Sequence, residues 1–191
     1  MIEIKNLTIS FQEKEILHQF CTKIPEGSTV AIMGDSGIGK STLLKIMMGL
    51  LVPDSGELIG LSDKKISVVF QEDRLCEYLS AIKNVMMVLD GTQKREIARE
   101  HLTQLIAQED IHKQVLNLSG GMKRRVSVAR AFAYPSDLIL MDEPLTGLDT
   151  TNKQKTVDYM LKYKKNRTMI FVTHDVKDAH ALKANQVIRL L

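Results

Sequence analysis

Residues 29–49, TVAIMGDSGIGKSTLLKIMMG, place four consecutive apolar residues ahead of a glycine-rich turn and a helical pattern after it. A buried strand that feeds such a turn and leaves it as a helix fits few folds. Gly34, Gly39, Lys40 and Ser41 satisfy G-x-x-x-x-G-K-[ST], a loop whose backbone N–H groups surround phosphate oxygens. Glycine permits the close wrap, and the N-terminal end of the following helix favours negative charge. Lys40 is placed to reach the β- and γ-phosphates, and the Ser41 hydroxyl to ligate Mg²⁺. Gly34, Asp35, Ser36, Gly37, Ile38, Gly39, Lys40, Ser41 and Thr42 are therefore the candidate cradle for a nucleoside triphosphate.

The surrounding pattern is α/β. ISVVF (66–70), DLILM (137–141) and TMIFV (168–172) are, like TVAIM, continuously apolar. That suits a parallel sheet buried on both faces. VIRLL (187–191) reads as an edge strand, and the more polar IEIKNLTISF (2–11) as part of a small flanking antiparallel layer. Helical spacing follows the glycine turn, with PDSG (53–56) as its stop, and recurs at Ile82, Val85, Met86 and Leu89. It appears again at Ile97, Ala98, His101, Leu102, Leu105 and Ile106, and at Val157, Met160 and Leu161. Residues 72–118 carry no strand pattern. The expectation is one domain, 1–191, with a core of 1–71 and 119–191 and a helical subdomain over 72–118.

Composition narrows the classes further. The chain has 191 residues, 44% of them hydrophobic, enough for a sizeable core. A formal charge of +3 is no nucleic-acid signature. Cys21 and Cys76 lack metal-type spacing and are expected as reduced thiols. The N-terminus has no signal-peptide pattern. The most apolar stretch, LLKIMMGLLV (43–52), contains Lys45 and is half the length of a spanning helix.

LILMDEP (138–144) adds a second chemical element. Asp142 ends a buried strand, where its carboxylate can hold Mg²⁺ opposite Ser41. Glu143, one residue on, can orient or deprotonate water. His174 in FVTHD ends another buried strand, on the edge where such sheets bind ligands. A second anion-binding turn then stands at LSGGMKRR (118–125), where Ser119 is a good N-cap and its helix presents a positive end.

In order, these pieces resemble the ATP-binding subunit of ATP-binding cassette (ABC) transporters. The marks are the Walker A turn GDSGIGKS, a Q-loop VVFQED, the signature LSGGM, the Walker B run LILMDEP, a D-loop LTGLD and a switch histidine in VTHD. The wording of VVFQEDRL and LSGGM is closest to nitrate, sulfonate and taurine importer subunits. The resemblance implies a P-loop NTPase core that binds ATP and Mg²⁺ between two copies arranged head to tail. It implies that Ser119, Gly120 and Gly121 meet the γ-phosphate bound by the other copy. It further implies that Phe11 stacks on adenine, that Gln71 touches Mg²⁺ or the attacking water, and that Asp149 works at the dimer interface. Glu143, His174 and Gln71 become the catalytic set; Ser41, Gln71 and Asp142 the metal set.

The implied partners are a membrane permease, docking beside Gln71 near Leu75, Tyr78, Met86 and Met87, and a solute-binding protein in the full complex. The implied place is the cytoplasmic face of the membrane. Met122 stands where the family usually has Gln, and only 31 positions separate Lys40 from Gln71, which implies a pruned antiparallel layer. The 17 residues after His174 are fewer than usual, so control by an added domain is not expected. Two alternatives stay open: an ABC ATPase acting on nucleic acid, ribosomes or cofactor assembly, and a nucleotide-binding module without turnover. KRR (123–125) and KYKKNR (162–167) would serve the first but are expected to be solvated helix faces.

Overall fold

A computed structural model describes residues 1–12 and 14–190. Two sheets share the work. Strands β1 (Ile2–Phe11), β2 (Lys14–Ile24) and β4 (Ser55–Ile59) form an antiparallel sheet in the order β2-β1-β4. Strands β3 (Thr29–Met33), β5 (Ile66–Val69), β6 (Leu138–Asp142), β7 (Thr168–Val172) and β8 (Gln186–Arg189) form a parallel sheet in the order β5-β6-β7-β3-β8. Of the expected C-terminal strand, Leu191 lies outside the described residues. β8 does take the sheet edge, beside β3.

The uninterrupted apolar strands have a simple cause. Side chains alternate between faces, and each face meets its own core. Val30, Ile32, Leu138, Leu140, Ile170 and Val172 face a cluster shared with helix α1 (Lys40–Met47) and the antiparallel sheet. Ala31, Met33, Ile139, Met141, Met169 and Phe171 face the other cluster. That one is completed by helices α2 (Ala81–Met86), α3 (Lys94–Thr103), α4 (Gly120–Ala133) and α5 (Thr150–Lys164). A short helix α6 (Val176–Ala181) precedes β8.

Between β5 and α4 the described residues form α2, α3 and two 3₁₀ turns, with one isolated bridge between Ser80 and Gln114. These helices share a continuous apolar cluster with the parallel sheet. Helix α4 packs against α2 and α3 and also against β5 and α5. Buried Asn84 of α2 accepts from the Cys76 amide at 2.8 Å and donates to the Cys76 carbonyl at 3.0 Å, pinning the chain that leads into the helix.

Two expectations are corrected. α1 stops at Met47, well before PDSG, because Gly49 at φ 71° reverses the chain while Leu50 N–H returns to the Lys45 carbonyl at 2.9 Å. PDSG instead leads into β4, where a Cβ on Gly56 would lie 2.5 Å from the Asn6 carbonyl oxygen of β1. Nor are the basic runs simple solvated faces. Arg124 is only 9% exposed, Tyr163 is buried and Arg167 half-buried, donating to the Tyr134 carbonyl at 3.1 Å.

Candidate functional site

Three parallel strands end side by side, and the candidate residues start where their ladders stop. The Glu143 amide bonds the Val172 carbonyl at 3.1 Å, and the Thr173 amide bonds the Ile32 carbonyl at 3.1 Å. The ends of β6, β7 and β3 are thereby locked in register. Asp142 and Glu143, His174, and the loop from Gly34 share one edge.

The loop that leaves β3 is compact. Gly34, Gly37 and Gly39 sit at φ 150°, 80° and 112°. A Cβ on Gly39 would stand 2.7 Å from the Ile16 side chain of β2, and one on Gly34 would stand 2.8 Å from the Leu190 carbonyl oxygen. Lys40 is buried, and its Nζ donates to the carbonyls of Gly34 at 2.9 Å and Asp35 at 2.7 Å. An ammonium has three N–H groups, so one remains for a phosphate oxygen. Asp35, Ser36 and Gly37 are exposed, Ile38, Ser41 and Thr42 half-buried. Phe11 stands exposed at the end of β1, paired across the hairpin with Lys14, two residues before the Ile16 that touches Gly39.

The two acidic residues have separate environments. Asp142 is 8% exposed, and burial lifts its pKa above the ordinary carboxylate range against a hydrogen bond from Ser41 and the charges of Lys45 and Lys40. A buried carboxylate short of positive charge, bonded to a serine hydroxyl, is a donor set suited to Mg²⁺. Glu143 takes the left-handed conformation, φ 47°, uncommon for a non-glycine residue. Its Oε1 accepts from His174 Nδ1 at 3.1 Å and its Oε2 from Thr146 Oγ1 at 2.9 Å. Burial pushes the Glu143 carboxyl up, but these two hydrogen bonds outweigh it and hold the pKa below the usual range. His174 remains well exposed beyond this contact.

Gln71 lies exposed in the segment after β5. Asp149 caps α5, accepting from the Asn152 amide at 3.0 Å, which keeps its carboxyl ionised to lower pH. Ser119 caps α4, its Oγ accepting from the Met122 amide at 3.3 Å. Gly120 has open space at its Cβ position; Gly121 adjoins Leu148 and the Gly147 carbonyl of the loop before Asp149. The signature turn thus sits with the 146–149 loop. Of the residues flanking the Gln71 segment, Tyr78 is 78% and Met87 59% exposed, whereas Leu75 and Met86 pack partly into the core.

Sequence reasoning missed Thr146, Arg124 and Arg130. Thr146 stands three residues after Glu143, a spacing that lets a turn fold its hydroxyl back. The two arginines gave no signal, because their acceptors are backbone carbonyls more than 50 positions away.

Residues 17–146 match the family model described as ABC transporter. The chain is 35% identical to the taurine import ATP-binding protein TauB of Roseobacter denitrificans, with 98% of this chain and 76% of that protein covered. It is 33% identical to an aliphatic sulfonates import ATP-binding protein, SsuB 1, of Paracoccus denitrificans, covering 99% and 78%. A dimeric ATP-binding cassette in a post-hydrolysis state, bound to ADP and Pi, superposes at a TM-score of 0.88 with 31% identity, covering 100% of this chain and 94% of that one. Among the described residues no helix is long and apolar enough to cross a membrane. With the family model matching over two thirds of its length and these relatives covered over most of theirs, the chain belongs to the ABC transporter family.

Proposed function

We propose that this chain is the ATP-hydrolysing subunit of a membrane importer, and that two copies close head to tail on two molecules of ATP. One observation carries the reading: the phosphate loop, Asp142 and the Glu143–His174 pair share one sheet edge, while the second anion-binding turn faces outward beside the 146–149 loop. A pocket with all its in-chain chemistry and a separate, unpartnered helix start become one site when a second copy brings its Ser119. Contacts made only while a γ-phosphate bridges the copies supply the differential affinity that closure needs.

The residues take these roles. Lys40 and the amides of Gly34–Thr42 hold the phosphates, and Phe11 offers its exposed ring to the base. Ser41, Asp142 and Gln71 would hold Mg²⁺, which would supply positive charge against the phosphates. Glu143 orients a water and accepts its proton; His174, donating to Glu143, keeps that carboxylate ionised and aimed. Asp149 lies at the mating surface with Gly121. This chain lies at the cytoplasmic face of the membrane, the partner permease docks beside Gln71 where Tyr78 and Met87 are exposed, and a solute-binding protein belongs to the full import complex. Residues 72–118 act as the helical subdomain that carries this docking surface.

Replacing Glu143 with Gln keeps shape and removes the base. The expected outcome is unimpaired ATP binding, an ATP-dependent dimer, and hydrolysis lowered by about 10²–10⁴-fold. Undiminished turnover would remove Glu143 from its role, and a variant still monomeric when saturated with Mg·ATP would end the head-to-tail reading.

A further inference from the structure

The segment that carries Gln71 is held from α4 by two arginines. Arg124 donates through one terminal nitrogen to the Phe70 carbonyl at 2.7 Å and through the other to the Gln71 carbonyl. Its Nε lies 3.3 Å from the Asp73 carboxylate. Six residues along the helix, Arg130 donates to the Arg74 carbonyl at 2.9 Å and to the Asp73 carbonyl at 3.2 Å. Four of the five carbonyls from 70 to 74 therefore end on guanidinium groups of the helix that begins at Ser119–Gly121.

The chemistry is specific. A planar guanidinium spans two neighbouring carbonyls, which a lysine ammonium on a flexible stem cannot do in the same way. Hydrogen bonds from a charged donor are stronger than neutral ones, and three of these four are partly buried. Because the acceptors are backbone atoms, what is fixed is the path of the segment, and with it the root of the Gln71 side chain. Arg124 lies five residues from Ser119, on the same continuous helix.

We propose that Arg124 and Arg130 are positioning residues that join the signature turn and the Gln71 segment into one mechanical unit. In a head-to-tail pair, Ser119 of one copy serves the other copy's ATP, whereas Gln71 serves its own. A phosphate engaged at Ser119 in one pocket thus resets Gln71 in the other, and the two pockets hydrolyse as a coupled pair. The inference rests on the head-to-tail reading and adds to it the element that carries the coupling.

Hydrogen exchange on the full chain tests it. In a Glu143→Gln parent, Mg·ATP is expected to raise protection at 119–122 and at 70–74 together. In Arg124→Met on that parent the response at 119–122 stays, while the response at 70–74 falls about tenfold as charged hydrogen bonds are lost. With Glu143 restored, Arg124→Met keeps its ATP affinity while the Hill coefficient of hydrolysis falls to about 1. Arg124→Lys, expected to lie between the two, and Arg130→Met give the same comparison should Met at 124 prevent folding. An undiminished response at 70–74 in these variants, or an unchanged Hill coefficient, overturns the coupling. A parent with no ATP response at 119–122 overturns the head-to-tail reading itself, and this inference with it.

Discussion

Lys40 uses two of its three donors on the loop it closes, so removing it opens the cradle and, on the proposed reading, also subtracts a phosphate contact. Lys40→Ala is expected to weaken ATP binding by tenfold or more, the loss of a charged hydrogen bond, and to abolish hydrolysis; titration with a fluorescent ATP analogue reads the first effect. Gly39 tests the backbone separately. An alanine there would hold φ 112° and meet Ile16, so Gly39→Ala should cost about 1–3 kcal/mol in thermal unfolding before any ligand is added. The cap at Ser119 is a smaller element of stability. Ser119→Ala should cost about 1 kcal/mol by denaturant titration. On the proposed head-to-tail pairing, its effect on ATP-dependent dimerisation should be larger than that figure alone would give.

Among the elements, α3 and α5 meet through an aromatic group whose charge state matters. His101 Nδ1 shares a 2.6 Å hydrogen bond with the Tyr159 hydroxyl, and both side chains are buried. Tyr163 packs on the same ring, with centroids 4.5 Å apart, and donates to Glu100 at 2.9 Å. Burial lowers the His101 pKa from 6.5 to about 4. Between those values the unfolded chain binds the proton and the folded chain does not. Stability is therefore full above pH 6.5 and falls as pH drops, by about 1.4 kcal/mol for each unit, until the folded group also protonates near pH 4. Urea unfolding from pH 7 to 4 should show this slope, and His101→Gln should flatten it. The same helices show what local pattern can reveal. Apolar spacing located α2, α3 and α5, but the stop of α1 turned on Gly49 rather than on the denser turn signal at PDSG. Strand β4 had no apolar alternation to betray it, since four of its five residues are exposed and its place is set by pairing with β1.

For the whole molecule, the parallel sheet is the wall between two cores, and adjacent residues of one strand answer to different neighbours. Phe171 belongs to the helical side and is fully buried, so Phe171→Ala should cost about 3–5 kcal/mol by urea unfolding. What the sequence determined unaided was the run of buried strands, the phosphate loop between strand and helix, and the acidic and histidine residues at strand ends. Each of those depends on neighbours along the chain or on burial alone. Tertiary structure decided that Glu143 turns to His174 and Thr146 while Asp142 faces Ser41, because that divergence rests on a left-handed residue and on strands 30 positions apart. It also decided that the basic residues of α4 serve the chain itself. A guanidinium reads the same in sequence whether it ends in water or on a distant carbonyl, and only packing brings Arg124 and Arg130 to the Gln71 segment.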